Sequence, residues 1–103
     1  MGYITMNRFR VREGSEGAFE AAWLNRDSQL HTVPGFQSFH LLKGPKRDDH
    51  TLYASHTTWE SEQAFVDWTR SEAFRVGHAK AGSSTAKYIG HPELESFEIL
   101  QTV

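Results

Sequence analysis

Tyr3-Ile4-Thr5-Met6-Asn7-Arg8-Phe9-Arg10-Val11 (YITMNRFRV) is the stretch on which the fold turns. Its β-branched and aromatic content reads as a strand. A strand's period of two sorts it into two faces, Tyr3, Thr5, Asn7, Phe9 and Val11 on one and Ile4 and Met6 on the other. Both faces carry apolar groups. Phe36 to Lys43 (FQSFHLLK) repeats the pattern, with Phe39 and Leu41 expected to oppose Phe36 and Leu42. An antiparallel sheet with one wet face is apolar on one side only, so these strands predict cover on both faces.

Outward from that strand, Glu13-Gly14-Ser15 breaks the pattern and Ser15 is placed to cap a helix. Phe19, Ala22, Trp23, Arg26 and Leu30 follow helical spacing, which predicts about four turns with one apolar stripe. Val33-Pro34-Gly35 ends that helix, and Gly44 to Asp49 is a polar hairpin loop after the second strand. His50 to Trp59 (HTLYASHTTW) is a third strand. Ser61 then caps a second helix bearing Ala64, Phe65 and Trp68, and Ser71-Glu72 marks a second cap before Ala73 to His78. Ala81 to Gly90 reads as a mobile loop, and Glu93 to Gln101 as the last strand. The order βαββαβ is the ferredoxin-like pattern, an α+β fold with an antiparallel sheet. Residues 1–103 are expected to form a single domain. With both helices on one sheet face, the simplest cover for the other is the sheet of a second copy, a dimeric α/β-barrel.

Bulk composition narrows the function. The chain is 103 residues with a formal net charge of −2, which calls for neither nucleic acid nor an anionic membrane as partner. It has no cysteine, which removes disulfides, thiolate zinc sites and cysteine-ligated clusters. No segment approaches the roughly 18 apolar residues of a membrane span, so the expected location is the cytoplasm.

A few residues could carry chemistry. Asn7 is an amide on an otherwise apolar strand face, where an unpaired polar group costs roughly 1–3 kcal/mol. It either bonds to a neighbouring loop or aims a donor into a dry pocket. Trp68 with Phe65 on the second helix, and Trp23 on the first, are core aromatics by default. Between the helices they would instead line a flat cavity. His78, one of six histidines, either ends a helix at the surface or serves as a neutral imidazole ligand. There is no His pair at i, i+4, no glycine-rich phosphate loop and no nucleophile elbow, so hydrolysis is not expected.

Asn7-Arg8, the Pro34-Gly35-Phe36 turn with Phe39 behind it, Thr58-Trp59-Glu60-Ser61, and Gln63 to Trp68 leading to Ala73-Phe74 and His78 run nearly end to end. Together they resemble the heme-degrading branch of the antibiotic biosynthesis monooxygenase superfamily. Asn7, Trp68 and His78, with ten residues from Trp68 to His78, match the three residues by which that branch is recognised. The resemblance implies an oxidoreductase that takes heme as both substrate and cofactor, opens the ring to a bilin and releases iron. His78 would be the proximal iron ligand, Asn7 a distal hydrogen-bond donor toward bound dioxygen, and Trp68 a press on the porphyrin. Trp23 and Phe65 would be pocket walls, with Arg26 contacting a propionate. No flavin or nicotinamide site is visible, so electrons would come from an external donor such as an NAD(P)H-dependent reductase. Two other functions fit the same residues. One is a cofactor-free monooxygenase of the superfamily acting on a quinol or aromatic polyketide; the other is a heme-binding dimer without turnover.

Overall fold

A computed structural model describes residues 2–25, 30–72, 74–75 and 87–103. Within them the order is β1 (Tyr3–Arg12), α1 (Glu16–Leu24), a 3₁₀ turn (Leu30–Thr32), β2 (Phe36–Lys46), β3 (His50–Trp59), α2 (Glu62–Thr69) and β4 (Glu93–Glu98). The strands form one antiparallel sheet in the order β2-β3-β1-β4. This is the ferredoxin-like α+β arrangement expected from the element order. No helix among the described residues is long and apolar enough to cross a membrane.

Register decides which side chains meet. Tyr3, Thr5, Asn7, Phe9 and Val11 of β1 pair with Trp59, Thr57, Ser55, Tyr53 and Thr51 of β3, and all ten face the helices. Phe9, Val11, Phe19 and Tyr53 are buried together, with Trp23, Leu41 and Tyr88 packed against them. A register shift between Phe36 and Ser38 makes Gln37 an extra residue in β2. Two residues then oppose one, and the alternation reverses locally. Phe36 therefore stands on the helix face beside Trp59, at 6.0 Å between ring centroids, and not opposite Phe39 as simple alternation predicted.

The helix caps divide. Ser61 Oγ accepts from the Ala64 backbone N–H at 3.2 Å and Ser71 Oγ accepts from that of Phe74 at 3.2 Å, as the sequence indicated. Ser15 makes no side-chain cap. Glu16, in the first turn, instead accepts from the Gly14 N–H at 2.8 Å and from the Thr51 hydroxyl at 3.2 Å, tying the helix start to β3. The first helix stops at Leu24, shorter than its apolar spacing suggested, because Leu30 reaches the core from the separate 3₁₀ turn. Gly35, at φ +83°, brings the β2 entry so close to α2 that a Cβ there would collide with the Ala64 methyl group. The expected loop of residues 81–90 also changes at its end: Tyr88 bridges to Val11, and the Ile89 N–H donates to the Arg10 carbonyl at 2.8 Å. Residues 81–86 lie outside the described residues.

A polar clasp holds α1 to the sheet edge. The Tyr53 hydroxyl donates to the Glu20 carboxylate, and Lys43 Nζ lies 3.5 Å from the same group. That hydrogen bond holds the Glu20 carboxyl below the ordinary carboxylate range, while burial, then Glu20, pushes the Tyr53 phenol up. A carboxyl with a depressed folded pKa contributes stability above its unfolded value and loses it as pH falls through the folded value. Tyr53→Phe should therefore unfold at lower urea than the parent chain at neutral pH. The gap should narrow as the pH falls below the ordinary glutamate value of about 4.3. A gap that widened on acidification would show the clasp does not act through Glu20 ionisation.

The far face of the sheet has no described helix on it. Ile4, Met6, Leu42, Leu52, Ala54 and Phe97 lie there by register. Leu42 is 40% exposed and Phe97 46%, beside an Arg8–Glu95 ion pair.

Candidate active site

The helix face of the sheet carries two aromatic clusters, one at each end. At the β1 entry, Trp59 is fully buried and its ring meets Phe36, Phe65 and Trp68 at 6.0, 5.9 and 5.3 Å. Tyr3 adds to this cluster through Phe65, and Phe74 through Trp68 at 4.8 Å edge-on. At the β1 exit, Phe9, Phe19, Tyr53 and Tyr88 pack with Trp23. Trp23 stacks on Phe39 at 5.8 Å and 15° between planes. Among the described residues no ring contact joins the two clusters.

Between them lies a strip of small polar groups. Thr5 and Asn7 of β1 stand opposite Thr57 and Ser55 of β3. Leu94 of β4 lies on the other side of Asn7, and Leu41 of β2 beyond Ser55. Thr5, Ser55 and Thr57 are buried and Asn7 is half-buried. The Thr5 hydroxyl accepts the Trp59 indole N–H at 3.0 Å, which commits it to the entry cluster. The Asn7 amide makes no side-chain hydrogen bond among the described residues. Of its two sequence readings, a bond to a neighbouring loop is thus not found there, and the amide stays available on the helix side of the sheet. An uncommitted amide beside two buried hydroxyls can orient one polar atom of a ligand that aromatic walls hold flat.

The residues singled out from the sequence fare differently. Asn7 sits on the expected face. Trp68 and Phe65 stand together in the entry cluster, each held by Trp59. Trp23 does not join them; it belongs to the exit cluster across the polar strip. Arg26 and His78 lie outside the described residues. Among the described residues no group of three or more His, Cys, Asp or Glu side chains is placed to hold a metal. The Ser55 and Thr57 hydroxyls, the bulge that turns Phe36 inward, and Tyr88 were not singled out from the sequence. The two hydroxyls had a signal in HTLYASHTTW, where Thr51, Tyr53, Ser55, Thr57 and Trp59 alternate onto one face. The bulge and Tyr88 had none.

Comparison with known proteins agrees with this architecture. The family model described as antibiotic biosynthesis monooxygenase matches residues 2–80. A curated heme-degrading monooxygenase from Bacillus thuringiensis (strain Al Hakam) is 31% identical over 58 residues, 56% of this chain and 54% of that protein. The match thus spans about half the length of that relative. The heme-degrader MhuD from Mycobacterium tuberculosis, solved with two hemes in its active site, superposes with a TM-score of 0.72 at 27% identity, covering 98% of each chain. SnoaB, a cofactor-independent oxygenase from Streptomyces nogalater, superposes with a TM-score of 0.72 at 24% identity, covering 99% of this chain and 96% of that one. With more than half its length matched by the family model, and the sheet order and helix placement to go with it, the chain belongs to the antibiotic biosynthesis monooxygenase family.

Proposed function

We propose that this oxygenase takes heme as substrate and cofactor and opens the porphyrin ring oxidatively to a bilin with release of iron. The observation that carries the reading is the Asn7 amide, uncommitted on a polar strip between two aromatic clusters. A planar apolar ring that needs one hydrogen bond near its centre fits that set of residues. The likeness to MhuD, named a heme-degrader, and to the B. thuringiensis heme-degrading monooxygenase supports it.

The roles follow from chemistry. Bound heme would supply both the oxygen chemistry and the carbon that is oxidised, so the chain needs no acid–base pair of its own. Asn7 would donate a hydrogen bond on the distal side. Trp68, wedged against Trp59, Phe65 and Phe74, would be a wall too well supported to yield to the ring. Trp23 and Phe65 would bound the two ends, with Arg26 as propionate contact and His78 as iron ligand. Electrons would come from an external donor such as an NAD(P)H-dependent reductase. We further propose a cytoplasmic homodimer in which the helix-free face of one sheet covers that of its partner, hiding Leu42 and Phe97.

The test is a hemin titration of the apo-protein followed by reductant in air. The reading expects a Soret shift on titration, loss of that band under reductant, and loss of the ligand signature in His78→Ala. No Soret shift would remove heme as the substrate and leave a cofactor-free oxygenase of an aromatic substrate. A shift unchanged by reductant would leave a heme carrier.

A further inference from the structure

The helix-free face of the sheet holds a second chemical grouping, unrelated to the polar strip. His40 of β2 pairs directly with His56 of β3, and His56 pairs directly with Met6 of β1. Two imidazoles and a thioether thus stand in one row across three adjacent strands, on one face. The two imidazole centroids are 6.1 Å apart with 57° between planes. Neither ring makes a hydrogen bond or ion pair among the described residues, whereas His50 is bonded to Asp49.

The spacing suits one ion. Metal–imidazole nitrogen bonds run about 2.0–2.1 Å, which puts each ring centroid about 3.2 Å from the metal. Two imidazoles on a shared ion then have centroids about 5.5 Å apart at a trigonal angle and about 6.4 Å apart when opposed. The observed spacing falls inside that window without any strand moving. Neighbouring strands lie about 4.7–4.9 Å apart, and methionine is long and unbranched with three rotatable bonds, so the Met6 sulfur can reach the ion from the next strand.

The donor set selects the ion. Thioether sulfur is soft and favours copper(I), and imidazole accepts copper readily. With no cysteine in the chain, no thiolate competes for it. We infer that His40, His56 and Met6 form a three-coordinate copper(I) site. The ligands are neutral and the ion carries one charge. The complex therefore suits the low-dielectric setting this face would have in a dimer better than a dication with open positions would. The nearest charged pair on the face, Arg8 with Glu95, is already mutually neutralised. The site does not depend on the heme reading, since it lies on the opposite face of the sheet from Asn7.

The test is an anaerobic competition between the full chain and a chromophoric copper(I) chelator. The expected result is one copper(I) withdrawn per chain, with X-ray absorption showing one sulfur and two nitrogen donors. Loss even of the partners behind a metal ligand typically costs 10–100-fold in affinity, so Met6→Leu should weaken uptake at least about tenfold and His56→Ala should abolish it. Far-UV circular dichroism melts of both variants, matched to the parent chain, show that the sheet is intact. No withdrawal of copper(I), equal uptake by His56→Ala, or equal affinity in Met6→Leu overturns the site. Should either variant fail to fold, His40→Gln on the exposed end of the row takes its place, and undiminished copper(I) affinity there overturns it equally.

Discussion

Asn7→Ala is expected to bind hemin as the parent chain does and to open the ring roughly 10²–10³-fold more slowly, the usual loss when one preorganised donor leaves a dry site. The amide is the polar side chain on the helix face of β1 without a commitment among the described residues, since Thr5 is already bonded to Trp59. Removing it leaves no described partner unsatisfied, so the fold should lose little. The aromatic walls are untouched, so hemin affinity should hold. Single-turnover decay of the Soret band under reductant in air measures the step. Decay at the parent rate would remove Asn7 from the chemistry, and loss of hemin binding would make it a binding group instead.

Trp59→Ala is expected to be the most damaging of the aromatic truncations. The residue is fully buried, its indole N–H is bonded to Thr5, and its ring is the common neighbour of Phe36, Phe65 and Trp68. Deleting a buried Trp side chain costs about 3–5 kcal/mol, much of the roughly 5–15 kcal/mol that holds a typical domain together. At roughly 4–8 °C per kcal/mol for a domain of this size, the melting midpoint should fall by about 12–40 °C. Trp23→Ala, at a half-buried position with Phe9, Phe19 and Phe39 still packed around it, should cost less. Thermal melts followed by circular dichroism decide the order. A Trp59→Ala midpoint within a few degrees of the parent would mean that the entry cluster repacks and Trp59 is not its keystone.

Side-chain parity explains what could be read in advance. Along β1 a period of two has no freedom once the strand is recognised, so the face shared by Tyr3, Thr5, Asn7, Phe9 and Val11 is legible from YITMNRFRV alone. The caps at Ser61 and Ser71 are equally local, because the hydroxyl and the N–H it bonds are three residues apart. Parity failed at Phe36, where one extra residue in β2 reverses every side chain before it. Helical spacing failed for Leu30, which an amphipathic stripe and a separate 3₁₀ turn satisfy equally well.

The element order, the presence of apolar groups on both sheet faces and the face on which Asn7 stands were all legible in the chain. These depend on near-neighbour geometry, which the chain cannot avoid. Packing placed Trp23 and Trp68 in separate clusters with Thr5, Asn7, Ser55 and Thr57 between them. It also decided that Tyr88 closes the exit cluster and that Met6, His56 and His40 share one row. Those outcomes depend on strand order and on the register between segments far apart in the chain, such as Tyr3 with Trp59 and Val11 with Tyr88, which pairing geometry sets and one-dimensional periodicity does not carry.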